Sequence, residues 1–167
     1  MTSINNESAN LDPYLEIINL LEVSHASYQV ICHEPVYTSE QAEAISGLSL
    51  SQGAKTIVLS AKDAFVIAVI PGDKKLDMKK VARCLGLKKV RFATEDEVEK
   101  VMRCKIGACY PFGSFINVRM IVDPSLAQEQ KIAFNPGKND QSIIMDTADY
   151  LRIVNPEMQS IAKESKS

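Results

Sequence analysis

Two features of this sequence carry residue types suited to chemistry: Lys55, at the start of the apolar run KTIVLS, and the connection GACYPFGSF from Gly107 to Phe115. A lysine at the mouth of a buried strand has two readings. Its stem can lie along apolar surface while the ammonium reaches water, or the cation can stand fixed at a cleft edge and hold a phosphate or ribose oxygen. In the connection, glycine admits positive φ and close approach, while proline fixes φ and removes a donor, so the loop is held in one shape. Amides held in that way can meet a developing oxyanion. The Cys109 thiol offers a third chemistry, nucleophilic attack, if nearby positive charge or an imidazole activates it. A cysteine flanked by Ala108 and Tyr110 is more often a packing residue than a nucleophile.

Spacing excludes other chemistries. Cys32, Cys84, Cys104 and Cys109 form no CxxC pair, His25 and His33 are the only imidazoles, and HExxH is absent, so no metal site is expected. GxGxxG and GxxxxGK[ST] are absent too, and no nucleotide cofactor is expected. The N-terminus MTSINNESAN has neither a basic start nor an apolar run, and the longest apolar stretch, AFVIAVIP, is too short for a bilayer. A cytoplasmic protein with free thiols and no membrane partner is the expectation. A net charge of −2 argues against a general nucleic-acid coat, and DNA is not an expected partner. One basic cluster nevertheless stands out. Lys74, Lys75, Lys79, Lys80, Arg83, Lys88, Lys89 and Arg91 are opposed within their window only by Asp77. Such a run is either a solvated surface or a phosphate-binding face.

The elements that must position these groups follow from pattern. A chain of 167 residues, 46% hydrophobic and 24% charged, suits one packed domain, here over residues 11–156, with flexible ends at 1–10 and 157–167. Asp12-Pro13 opens a first helix running to about His25. YQVIC (Tyr28 to Cys32) reads as a strand, and Thr38 or Ser39 caps a helix that stops near Gly47. Lys55 to Ser60 and Phe65 to Ile70 read as hairpin strands buried on both faces at the centre of the sheet. Met78, Val81, Ala82 and Leu85 form one side of a helix closed by Gly86, which leaves Lys79, Lys80 and Arg83 opposite. A short strand from Val90 leads to the capping box TEDE at Thr94 and a helix through Met102. Strands are expected at Ile116 to Val122, Lys131 to Asn135 and Gln141 to Met145, and then a helix capped by Thr147.

In this order, HEPVYTSEQAEA, GAKTIVL, FVIAVIPGDKKLDMKKVARCLG, VRFATEDEVEKV, GACYPFGSF and IAFNPGKNDQSIIMDTADYLRI resemble the YbaK family, aminoacyl-tRNA deacylases related to the editing domain of bacterial prolyl-tRNA synthetases. The likeness spans His33 to Ile153 and rests on the succession of segments rather than on any one motif. It implies an α/β domain with a mixed, strongly curved, barrel-like sheet surrounded by helices, hydrolysing the ester between a wrong amino acid and its tRNA. Lys55 matches the family's lysine, and Gly107 to Pro111 its GxxxP loop. Catalytic roles then fall to Lys55 and to the backbone of Gly107 and Ala108. Substrate contacts fall to His33, Tyr37, Thr38, Thr56, Cys109, Tyr110, Pro111, Phe112, Gly113, Ser114 and Asn135, and tRNA contacts to Lys79, Lys80 and Arg83.

An aminoacyl ester is already reactive, so geometry and oxyanion stabilisation suffice without a strong base. The resemblance implies as partners the acceptor end of a mischarged aminoacyl-tRNA and an aminoacyl-tRNA synthetase, which the chain is too short to contain. Thr56 and Asn135 stand where alanine-specific members tend toward Asn and His. Alanine, serine, threonine and cysteine, on tRNA for proline or a related tRNA, therefore all stay open. A second reading, from another class, is a catalytically silent module of the same fold that binds tRNA ends or a small ligand.

Overall fold

Helix caps written in the sequence set the frame. The computed structural model describes residues 11–35 and 38–164. Asp12 caps α1 (Pro13–Val23), its carboxylate accepting the Tyr14 N–H, and Ile17 and Leu21 lie fully buried on the inner side. Thr38 and Gln41 cap α2 (Ser39–Ser46) reciprocally, with the Gln41 N–H on Thr38 Oγ1 at 3.1 Å and the Thr38 N–H on Gln41 Oε1 at 3.2 Å. Asp77 caps α3 (Met78–Leu85), which Gly86 ends in the left-handed conformation. The Thr94–Glu97 capping box opens α4 (Glu95–Met102). Helix α5 (Thr147–Val154) departs from expectation, because Asp146 holds the N-cap position. Thr147 is the first helical residue, buried, with its N–H on the Gln130 carbonyl at 3.0 Å.

The strands are β1 (Tyr28–Cys32), β2 (Ala54–Ala61), β3 (Ala64–Pro71), β4 (Arg91–Phe92), β5 (Arg119–Val122), β6 (Lys131–Phe134), β7 (Gln141–Asp146) and β8 (Glu157–Met158). They build a mixed α/β domain, but not around one barrel-like sheet. The described residues form a three-stranded antiparallel sheet in the order β1-β7-β6 and a five-stranded mixed sheet in the order β4-β2-β3-β5-β8. The reason lies at one pair of edges. Strand β2 pairs with β3 along its whole length, yet β4 covers its other side only at Leu59 and Ser60. Strand β6 is an edge of the smaller sheet, and among the described residues the backbones of the two sheets are joined by the isolated bridge Gly53–Ala133. They part beyond that bridge.

Both faces of the β2–β3 hairpin are covered, as its apolar runs predict. Val58, Ile67 and Val69 face a core shared with α1, β6 and β7, whereas Leu59, Val66, Ala68 and Ile70 pack with Leu76 and Val81 on the other side. The strand expected from Ile116 starts only at Arg119. A 3-10 turn occupies Ser114–Ile116, and Asn117 follows in the left-handed region (φ 57°), which asparagine tolerates.

The segment after Pro156, expected as a loose tail, is packed as far as it is described. Strand β8 adds to β5, Ile161 is fully buried, and Leu76 bridges Ala162. Asp123, only 5% exposed, binds the N–H groups of Ile161 and Ala162 at 2.9 and 2.8 Å. A carboxylate 38 positions upstream of Ile161 thus fastens the C-terminal segment. Among the described residues no helix is long and apolar enough to cross a membrane.

Candidate functional site

A cleft of about 560 Å³ opens where the two sheets part. One wall is the edge of β2, left without a pairing strand from Ala54 to Ile57, and the opposite wall is Ala133 to Asn135 at the end of β6. The turn around Gly107, the β4–α4 junction at Phe92 and Ala93, and the segment carrying Ser46, Leu48, Ser49 and Leu50 line the remaining sides. The missing ladder between β2 and β6 is what creates the space.

Lys55 lines this cleft, half-buried, and its Nζ donates to the Lys74 carbonyl at 2.7 Å. That hydrogen bond to a backbone oxygen holds the ammonium at a defined place on the cleft wall. Thr56 beside it also lines the cleft, its hydroxyl directed to the Ala54 carbonyl at 3.4 Å.

The glycine loop divides into two parts. Residues 105–108 form a β-turn closed by the Ala108 N–H on the Lys105 carbonyl at 3.0 Å, with Gly107 at φ 92° in the third position. A type II turn requires that positive φ, and glycine supplies it without strain. Two bonds tie the turn to the β6–β7 connection: Asn135 Nδ2 donates to the Gly107 carbonyl at 2.8 Å, and the Gly137 N–H donates to the Ala108 carbonyl at 3.0 Å. Gly107 and Cys109 line the cleft. Ala108 does not. It is buried and its N–H is already committed to the turn, so the expected oxyanion role of Ala108 is withdrawn. Among the described residues no acceptor partners the N–H groups of Gly107 or Cys109.

The second half of the loop is an anchor. Tyr110, Pro111, Phe112 and Gly113, expected at the substrate, are buried in the core away from the cleft. Tyr110 donates to the Met102 carbonyl at 2.6 Å and stacks on Phe115, while Phe112 meets Phe134 and Tyr150 edge-on. Tyr150 in turn donates to the Pro111 carbonyl at 2.7 Å. A Cβ on Gly113 would lie 2.3 Å from the Val118 carbonyl oxygen, so only glycine fits there. Ser114 is exposed and opens the following 3-10 turn, outside the cleft. The aromatic residues therefore hold the loop, and Gly107 and Cys109 face the space.

His33 reaches the site indirectly. Its Nδ1 donates to the Glu34 carbonyl at 2.7 Å, which leaves Nε2 to meet the Ser142 hydroxyl at 2.8 Å. Ser142 lies 3.4 Å from Asn135 Oδ1, so a polar chain runs from His33 through Ser142 and Asn135 to the Gly107 carbonyl. Thr38 lines the cleft, and Tyr37 lies outside the described residues. Ser142 was missed by sequence reasoning, because one serine in the strand QSIIM carries no signal of its own.

The thiols give no support to a nucleophile. A hydrogen bond from Cys104 lowers the Cys109 thiol against an opposing effect of burial, and that same contact, with burial, raises Cys104 far above the ordinary range. The group that favours the Cys109 thiolate is thus a second thiol, not an imidazole or an amine. Among the described residues no group of three or more His, Cys, Asp or Glu side chains converges as a metal site would require.

The basic helix is split as well. Lys79 and Arg83 are exposed on α3. Lys80 turns to the C-terminal segment, with Nζ 3.1 Å from the Ala162 carbonyl and 3.8 Å from Glu164.

Comparison with known proteins gives the family. The model of the aminoacyl-tRNA editing domain matches residues 33–153. The chain belongs to this family. It is 35% identical over 147 residues to the multifunctional Ser/Thr-tRNA deacylase ProXp-y of Escherichia coli (strain K12), covering 85% of this chain and 88% of that protein. It is also 28% identical over 153 residues to the prolyl-tRNA editing protein ProX of Acetoanaerobium sticklandii, covering 87% and 92% respectively. Among solved structures, the hypothetical protein APE2540 superposes with a TM-score of 0.81 at 21% identity, covering 88% of this chain and 99% of that one, a likeness of fold alone. The matched span thus runs from His33 to Ile153, in the last turn of α5.

Proposed function

We propose that this protein is a free-standing editing deacylase of the cytoplasm that hydrolyses the ester of a small, hydroxylated amino acid on a mischarged tRNA. The observation that carries this reading is the convergence of a fixed ammonium, Lys55, and the constrained Gly107 turn on one cleft. The acceptor end enters that cleft, and an aminoacyl-tRNA synthetase supplies the charged tRNA.

Hydrolysis needs little beyond placement. Water, or water assisted by the vicinal ribose hydroxyl, attacks the ester carbonyl. The tetrahedral oxyanion then collapses, the ribose oxygen leaves with a proton, and the free amino acid departs. The Gly107 and Cys109 amides are the donors for the oxyanion, each worth about 3 kcal/mol by the measure of other oxyanion holes. Lys55 holds the ribose or its phosphate as a cation. The tie from Asn135 to the Gly107 carbonyl keeps the turn in the orientation these amides need.

The amino-acid preference follows from the polar groups on the cleft wall. Thr56, Asn135 and Ser142 give a side-chain hydroxyl partners that a purely apolar pocket lacks, and a site built to bind a hydroxyl discriminates better than one that only measures size. The relative in Escherichia coli, named a Ser/Thr-tRNA deacylase, supports the same choice. Lys79 and Arg83 are the α3 cations that contact acceptor-stem phosphates. The test is release of amino acid from a panel of serine, threonine, alanine and cysteine esters, each on tRNA for proline and on its own tRNA. Fastest release of serine or threonine supports the assignment, and preference for alanine or cysteine overturns it. Tight binding without turnover of any ester would establish the silent-module reading instead.

A further inference from the structure

We propose that Phe92 and Ile106 form an apolar platform at the mouth of the cleft that receives the terminal adenine base of the charged tRNA, an inference that rests on the deacylase reading above. Both residues line the cleft, yet they remain 58% and 47% exposed. Isolated exposed apolar side chains are ordinary, so placement decides the matter. The other large exposed hydrophobics among the described residues, Leu15 and Val23, lie on α1, whereas these two come from different elements and border one opening.

The support beneath Phe92 is more than an exposed ring needs for folding. Next to it, the Ala93 N–H binds the Val58 carbonyl at 3.0 Å, and the Arg91 guanidinium donates to the Phe92 carbonyl at 3.2 Å. The same guanidinium makes paired bonds of 2.8 and 3.0 Å to Glu97, whose carboxylate also accepts the Thr94 N–H at 2.9 Å. With the backbone beneath it held in this way, only the ring's own torsions are left to order when a ligand stacks on it. Glu97 pairs with Arg91, the cation nearest in sequence, so the ground beside the ring favours the flat face of a base over a phosphate.

Position selects the base. If Lys55 and the Gly107 turn take the ribose and its ester, the adenine on that same ribose lies within one sugar's width of them. An amino-acid side chain is a poorer occupant, because Thr56, Asn135 and Ser142, which suit it, are less exposed than Phe92 and Ile106. A stacking platform also tolerates any tRNA body, since all present the same terminal adenosine, and stacking reads no sequence.

The chain contains no tryptophan, so Phe92→Trp places a single fluorescent reporter in the platform. The ligands are two tRNAs carrying serine through a non-hydrolysable 3′-amide, one with the terminal adenine and one abasic at that nucleotide. Binding is therefore measured whether or not the protein hydrolyses anything, and hydrolysis of the corresponding ester is scored separately. The intact tRNA is expected to quench Phe92→Trp and the abasic tRNA to leave it bright. Phe92→Ala is expected to weaken the intact tRNA by roughly 5- to 100-fold and the abasic tRNA by less than about twofold, while Phe92→Tyr restores affinity. Equal quenching by both tRNAs, equal weakening of both, or wild-type affinity in Phe92→Ala overturns the platform. Loss of ester hydrolysis in the wild type with base-dependent binding intact would instead strike the deacylase reading and leave the platform standing.

Discussion

Replacing Asp123 with asparagine should both destabilise the protein and slow the reaction, although the residue lies outside the cleft. In the wild type one carboxylate oxygen accepts the Ile161 and Ala162 N–H groups and the other accepts the N–H and hydroxyl of Ser125. An asparagine keeps one acceptor and turns an NH₂ group toward donors at the other position, so two bonds to a charged acceptor are lost. At about 1.5 to 3 kcal/mol each, the loss comes to roughly 3 to 6 kcal/mol. The effect on the reaction travels through the C-terminal segment. Asp77 N–H binds the Ile161 carbonyl and Lys163 N–H binds the Lys75 carbonyl, both at 2.8 Å, so releasing 161–163 frees the stretch beside Lys74, whose carbonyl holds Lys55. A loss of about 1.4 kcal/mol in the placement of that ammonium is a tenfold fall in kcat.

The pH dependence has a definite sign. Burial opposes the charge on Asp123, but the Ser125 hydroxyl and N–H with the Ile161 and Ala162 N–H groups outweigh it, so the carboxyl titrates below the ordinary aspartate range. Its contribution is therefore complete above the unfolded value of about 3.9 and is lost as pH falls through the lower folded value. Urea unfolding of wild type and Asp123→Asn should differ most at neutral pH and converge progressively as the pH falls below about 3.9. A difference that stays constant with pH, or a variant as stable and as active as the wild type, would refute the reasoning.

Four further outcomes follow from the loop and its tie to Asn135. Asn135→Ala removes the donor to the Gly107 carbonyl and should lower kcat by about tenfold, read in single-turnover hydrolysis, with urea stability changed by no more than about 1.5 kcal/mol. Gly107→Ala meets no atom within 4 Å but must adopt φ 92°, which costs about 1 to 2 kcal/mol, whereas Gly113→Ala collides with the Val118 carbonyl oxygen and should unfold at markedly lower urea. Cys109→Ser should keep at least a third of wild-type hydrolysis, because the loop contributes amides; complete loss would restore the cysteine nucleophile.

Local chemistry made the helices legible. The Asp12-Pro13, Thr38–Gln41 and Thr94–Glu97 caps are determined within a few residues, and the helices start where those residues place them. The division into two sheets was not legible, because whether β2 and β6 form a ladder depends on two edges far apart in the chain that share only the Gly53–Ala133 bridge. The stiffness of GACYPFGSF could be read from its composition, but not which half faces the cleft, since Tyr110 and Phe112 look the same in sequence whether they meet a ligand or Tyr150. The C-terminal segment was misjudged for a similar reason. Met158, Ile161 and Ala162 make no periodic run, and the carboxylate that fastens them stands at Asp123.

The most direct test of the central claim compares wild type with Lys55→Ala in single-turnover release of labelled serine from seryl-tRNA. The account predicts release by the wild type and a loss of about a hundredfold or more in the variant, with urea stability largely retained. Equal rates in the two proteins, or no release by the wild type from any small amino-acid ester, would contradict it.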